Sequence, residues 1–350
     1  MLLFISIYSF VFILYSLSLY LRNRFLDKFF IVIISFLLSI LPGFRAISVG
    51  TDTSMYYDIL DSRLNSGDYF VTNIEPGYIY LVKIFQNLSL ENYFFLFVSF
   101  LANFLFVSAI YSLKKYRFLA LLSYLTFSNI YMMGFNVLRQ YLALSIYVYS
   151  LVFLFKGRYF LHLIFIILAI FFHYSSFIFL LMSFLYYLIT LGWSKIVYII
   201  CFLIPFFYNI IQKFLINYLV SISGKETFEN YINRVGESGG ILQLILYIFI
   251  LVFLLVFSNF KNNYFKFYLS IFFMWFGFFI NISYFGLVYE GAGRLIVSTY
   301  FSFLFIFSFL NYGRIKEIIL LLLCCFFMLY YFYFYFSIGY HGVIPYKFIQ

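Results

Sequence analysis

Polar positions in this chain are interruptions of an apolar text. Apolar runs lie near 3–21, 29–43, 93–113, 118–134, 137–155, 159–173, 175–192, 196–212, 241–258, 267–288, 295–311 and 318–337. Runs of roughly 18 or more apolar residues read as membrane helices. Some of these are short, so the pattern predicts an all-α polytopic integral membrane protein with about 10–12 transmembrane helices. The opening run, "MLLFISIYSFVFILYSLSLYLRNR", carries its positive charges after the apolar stretch and has no small-x-small cleavage site. It reads as the first span and not as a cleaved signal. No 20-to-50-residue repeat is visible, and the whole of 1–350 reads as a single transmembrane domain with no soluble domain appended.

The short connections 22–28, 114–117, 156–158, 194–195, 260–266 and 313–317 alternate with the others and hold 13 Lys/Arg against 2 acids. The remaining 9 Lys/Arg and 10 acids fall on the opposite side or in spans opening there. Positive charge marks the cytoplasmic side of a membrane protein. Both termini are therefore expected on the outer (periplasmic or extracellular) side, as are two long connections, 44–92 and 213–240. Within the first, "GYIYLVKIFQNL" (77–88) is too short, and at Lys83 too charged, for a span. It reads as an interfacial or re-entrant helix.

Composition agrees with that pattern. Of 350 residues 66% are hydrophobic, 27% aromatic and 10% charged, at a mean hydropathy of +1.04. A soluble domain cannot hide so much apolar surface. The net charge of +10 would point to nucleic acid in a soluble protein; distributed as it is, it reports topology, and no nucleic-acid partner is expected. Cys201, Cys324 and Cys325 lie in apolar runs without CxxC spacing, which indicates neither a disulfide framework nor a zinc site. No HExxH, P-loop or GxSxG pattern occurs, and no cofactor or metal is called for.

The polar residues left inside or beside spans gather toward the outer face. In "FNVLRQ", Asn136, Arg139 and Gln140 stand at i, i+3 and i+4, so on a helix they share a face. An arginine there can snorkel to headgroups, or offer a planar fork to a phosphate or carboxylate in a polar cavity. His173, in "FFHYSSF", is either an interfacial histidine bonded to backbone or an acid–base group. His162, on a cytoplasmic span end, reads as structural. Arg294 follows Glu290 and "GAG", a flexible entry to a helix N-terminus that suits an anion, with snorkelling the alternative. Asp52 in "GTDT" and Glu75 in "EPGY" stand out among loop acids that are otherwise simply solvated. Arg234, in the second long connection, and Tyr57, as a ring for sugar stacking, complete the candidates.

Taken in order, "GTDTSMY", "EPGY", "NVLRQ", "HYSS", "GAGR" and the terminal "PYK" resemble the EpsG-like family, Wzy-type polymerases of bacterial surface polysaccharides such as O-antigen, capsule and exopolysaccharide. The resemblance spans roughly residues 43 to 350. It implies a glycosyltransferase of the bacterial cytoplasmic (inner) membrane with GT-C-like architecture. That enzyme moves a growing chain from undecaprenyl pyrophosphate onto the non-reducing end of a new lipid-linked repeat unit, alongside a flippase and a chain-length regulator. Asp52, Glu75, Asn136, Arg139, Gln140, His173 and Arg294 match motif positions. Arg139, Arg294, His173 and Asp52 are the expected catalytic residues; Asn136, Gln140, Glu75, Tyr57, Arg234 and Glu290 are expected to bind substrate. Two other functions fit less closely. A ligase would use the same donor. A transporter or flippase of the lipid-linked sugar would place polar residues through the midplane and often show inverted repeats.

Overall fold

In a computed structural model the description covers residues 2–21, 23–61, 74–113, 117–223, 241–257, 260–284 and 289–310, together with 322, 325–326, 328–330, 332–333, 342–343 and 345–348. Among them the protein is all-helical apart from one isolated antiparallel bridge, Arg45 to Phe348. The helices are α1 (Leu2–Leu21), α2 (Arg24–Gly43), α3 (Thr53–Asp61), α4 (Pro76–Asn87), α5 (Phe94–Tyr111), α6 (Arg117–Leu122), α7 (Ile130–Met133), α8 (Leu138–Leu154) and α9 (Tyr159–Phe172). They continue with α10 (Ile178–Thr190), α11 (Ser194–Ser223), α12 (Ile241–Val256), α13 (Asn263–Tyr284), α14 (Tyr289–Thr299) and α15 (Phe301–Ile306). Four stretches, Leu2–Leu21, Phe25–Gly43, Glu91–Tyr111 and Asn263–Tyr284, are long and apolar enough to cross a membrane, and seven more apolar helices run 10 to 17 residues. This is an all-α membrane protein.

The chain packs as two compact units, one formed by residues 1–179 with 322–350 and the other by 180–321. In the first unit α2 lies against α5, closely enough at Gly43 that a Cβ would stand 2.8 Å from the Leu96 Cα. Such small residues let membrane helices approach backbone to backbone. Pro42, in the last turn of α2, has no N–H to give the Leu38 carbonyl; the Tyr131 hydroxyl donates to it instead at 2.7 Å. Further out, Tyr346 donates to the Leu41 carbonyl at 2.8 Å and Arg45 turns back onto that of Pro42. The buried carbonyl end of α2 is thus closed by hydroxyls and a cation, as a helix C-terminus favours. In the second unit α11 carries Pro205, and α13 meets it at Gly277, whose absent Cβ would fall 2.7 Å from the Phe202 carbonyl oxygen.

Several expected boundaries change. The run 118–134 is not one helix: after α6 come a π-helical turn at Ser123–Phe127 and a left-handed Asn129 (φ +58°) before α7. Asparagine tolerates that conformation better than most residues. The expected span 295–311 lies within one apolar helical stretch, Gly293–Phe309, in which Tyr300 keeps helical dihedrals (φ −59°, ψ −24°). Helix α11 continues to Ser223, so 213–223 is helical, while 224–240 lies outside the described residues. The expected span 318–337 is described only at scattered positions. The segment "GYIYLVKIFQNL" is helical as α4.

Candidate functional site

The "EPGY" motif builds the centre of the first unit's polar site, and each residue has a physical task. Glu75 precedes α4 in extended conformation, and its carbonyl accepts from Tyr78 N (3.1 Å) and Ile79 N (3.2 Å). Its carboxylate makes no capping bond and points elsewhere. Pro76 occupies the first helical turn, where a missing N–H costs nothing. Gly77 lets α4 press on the end of α9: a Cβ there would sit 2.5 Å from the Phe171 ring and 2.7 Å from its carbonyl oxygen. Tyr78 is fully buried, with its ring 5.9 Å from the Arg139 guanidinium carbon.

That close approach brings three residues together. Glu75 Oε2 pairs with Arg139 Nη1, while Glu75 Oε1 lies 2.7 Å from His173 Nδ1. The Tyr174 N–H donates to the same Oε1 at 3.4 Å. His173 ends α9: its N–H still bonds to Ala169, but φ −158° and ψ 118° turn the chain out of the helix and aim the ring at Glu75. Arg139 stands in the first turn of α8, with the Tyr56 hydroxyl as a second partner. Its Nε is buried without a hydrogen-bond partner, yet the side chain keeps 16% of its exposure. The carboxylate is buried. Burial alone would raise the Glu75 pKa, but the His173 hydrogen bond and the Arg139 charge outweigh it and hold it at about 2. Glu75 is therefore an anion set between a cation and an imidazole.

The remaining candidates differ in how the structure places them. Asn136 does not share a helical face with Arg139 and Gln140, because α8 begins at Leu138 and Asn136 lies in the preceding turn. Its Oδ1 accepts the Thr51 N–H at 2.7 Å, which fastens the "GTDT" loop. Gly50 makes that seat possible: at φ +89° a Cβ would stand 2.3 Å from the Phe135 carbonyl oxygen and 2.6 Å from Asn136 Oδ1. Asp52 is half-buried, accepts from Thr51 Oγ1 at 2.9 Å, and acts electrostatically on Tyr56. Gln140 is buried within α8. Tyr57 has its ring against Phe95 (4.8 Å between centroids), so one face intended for a sugar is taken. Arg294 is exposed in the second unit; "GAG" lies inside α14 and does not form its entry, since the helix already starts at Tyr289. Glu290 is in the first turn of α14, and Arg234 lies outside the described residues. His162 is buried with Nδ1 3.2 Å from the Ser150 carbonyl.

Sequence reasoning missed Arg45. It is fully buried, stacked 4.5 Å from the Phe95 ring centre, and donates to Thr53 Oγ1 (3.0 Å) and to the carbonyls of Pro42 and Gly134. Burial lowers its pKa to about 10. In "LPGFR" it looks like any cation after a span, and nothing local marks it as buried.

The described residues thus form an all-helical membrane protein in which one buried carboxylate joins an arginine and a histidine. Residues 28–348 match the model of the EpsG family, and the chain belongs to that family, which is Wzy-type polymerase-like. Comparison with curated proteins and with solved structures gives no match.

Proposed function

We propose that this protein is a polysaccharide polymerase acting at the outer face of the bacterial cytoplasmic membrane. The reading includes ten to twelve spans, both termini outside and a GT-C-like arrangement. What carries it is the union of Arg139 and His173 on one buried carboxylate, within a chain of the EpsG family.

The donor is a glycan on undecaprenyl pyrophosphate, and the acceptor is a hydroxyl at the non-reducing end of a lipid-linked repeat unit. The acceptor oxygen forms a bond to the anomeric carbon as the bond from that carbon to the pyrophosphate oxygen breaks. The electron pair leaves with the pyrophosphate, and the hydroxyl proton passes to His173 Nε2. Nδ1 faces Glu75, so Nε2 carries the lone pair. Negative charge grows on the leaving group, and Arg139 is there to meet it; such a donor is worth roughly 3–4 kcal/mol in a partly desolvated site. Asp52 is proposed as a polar group at the edge of the acceptor site, and Arg294, at its motif position, as an anion-binding residue of the second unit. Holding both lipid-linked ends in one leaflet supplies much of the remaining acceleration.

The test is polymerisation by purified protein given the lipid-linked repeat unit as sole substrate. A ladder of lipid-linked oligomers, absent with Arg139→Ala, is the expected result. Transfer of finished chain to a different acceptor with no ladder would make the protein a ligase. Movement of the lipid-linked unit across vesicles without bond formation would make it a transporter.

A further inference from the structure

Glu75 gives one oxygen to each functional partner: Oε2 to Arg139, and Oε1 to His173 Nδ1 and the Tyr174 N–H. An ionised carboxylate only accepts hydrogen bonds, so His173 must donate from Nδ1. The two reactive groups are thus in electrostatic contact through a single buried charge, although 98 residues separate Glu75 from His173 and 64 separate it from Arg139.

We propose that Glu75 couples occupancy of the donor site to the basicity of His173. The proposal rests on reading Arg139 as the ligand of the donor's pyrophosphate. A phosphate arriving at the guanidinium competes with Glu75 for the same N–H groups, and two anions on one cation repel. Arg139 then neutralises the carboxylate less, and the carboxylate acts more strongly on the imidazole. Both effects favour the proton-bearing ring, which is the form His173 takes when it receives the acceptor's proton. By linkage, protonating His173 tightens anion binding by the same factor. The charged and titratable groups that enter are Glu75 and the neighbouring Tyr78 on the α4 side, Arg139 on α8 with its partner Tyr56 on α3, and Tyr174 from its own turn. The functional consequence is a bias toward order: with no donor bound His173 is the weaker base, so a hydroxyl or a water is activated at most about threefold less well than when a glycosyl donor is present.

The coupling can be read without turnover. The full chain holds three histidines, His162, His173 and His341, which 15N labelling in lipid nanodiscs resolves. The probe is inorganic pyrophosphate, and the readout is the pH titration of the His173 ring nitrogens with and without it. The expected result is an upward move of the His173 midpoint by about half a pH unit, a factor of about three in proton affinity. His162 should stay unchanged, and the move should vanish in Glu75→Gln while pyrophosphate still binds. Bound pyrophosphate with an unmoved His173 in the wild type overturns the coupling, and so does an equal move in Glu75→Gln. Failure of pyrophosphate to bind, or binding undiminished in Arg139→Ala, removes Arg139 as the anion ligand and overturns the coupling with it. If the Glu75→Gln protein does not fold, Glu75→Asp takes its place, and an undiminished move there overturns the coupling.

Discussion

The first unit holds two buried-end arginines with opposite surroundings. Arg45 has no exposure, faces an aromatic ring and gives its hydrogen bonds to two backbone carbonyls and a hydroxyl. Arg139 keeps part of its surface, pairs with a carboxylate and shares that carboxylate with a histidine. An arginine whose donors end on backbone ties segments together: here the end of α2, the start of α3 and the turn after α7. An arginine whose partner is an exchangeable anion, and which retains access, can meet a ligand. Residue type does not separate the two. The identity of the acceptors and the access to solvent do.

The comparison breaks most sharply at Arg139. Arg139→Ala should lower the polymerisation rate about 10²–10³-fold, as loss of a transition-state donor does. Arg139→Lys should lose most of the activity too, because charge survives but the fork does not. Full activity of the lysine variant at normal membrane levels would remove Arg139 from the mechanism. Next in size is Gly77→Ala, which should separate α4 from Phe171 and pull Glu75 from His173, costing on the order of 1–3 kcal/mol by overpacking. Thermal unfolding in detergent and rate should fall together; a stable, fully active variant would show that this close approach does not set the site.

Arg45→Met tests the other half. It should reduce stability by about 1–3 kcal/mol through the carbonyls left without donors, while protein that still folds keeps its rate within about threefold of wild type. A large rate loss in stable Arg45→Met protein would move Arg45 from fastening into chemistry. A smaller effect is expected from pH. The Glu75 carboxyl is depressed from its ordinary 4.5 to about 2, so its contribution to stability is complete above about pH 4.5 and fades as pH falls toward 2. Unfolding midpoints of wild type and Glu75→Gln should therefore converge across that window and stay parallel above pH 5; convergence at neutral pH would contradict the ion pair. Smallest is Tyr57→Phe, which removes only a 3.4 Å hydrogen bond to the Arg45 carbonyl. It should cost well under about 1 kcal/mol, unless the hydroxyl also touches a sugar, in which case KM rises.

What was legible in the sequence followed from local physics. Apolar runs have to become helices in a membrane, so most elements appeared close to their expected places, and α4 was expected as a helix from its length and charge. The run 118–134 failed that rule because a π turn and a left-handed Asn129 interrupt it, and neither alters the apolar pattern. The motif "EPGY" was visible as a candidate, but its glutamate was assigned to substrate. Nothing near residue 75 in the chain tells that its carboxylate meets an arginine and a histidine far along it. Asn136 was misplaced for the opposite reason: spacing put it on a helical face, whereas the helix starts two residues later and the side chain holds the loop at Thr51.

By itself, then, the sequence determined the class of protein, its helices and the identities of its chemically able residues, because hydropathy and side-chain chemistry are properties of short stretches. Tertiary structure alone decided which arginine is fastened to backbone carbonyls and which keeps exposure beside a carboxylate, and which nitrogen of His173 faces that carboxylate. Those are matters of distance and burial, set when α4 presses on α9 through Gly77, an approach that no local pattern encodes.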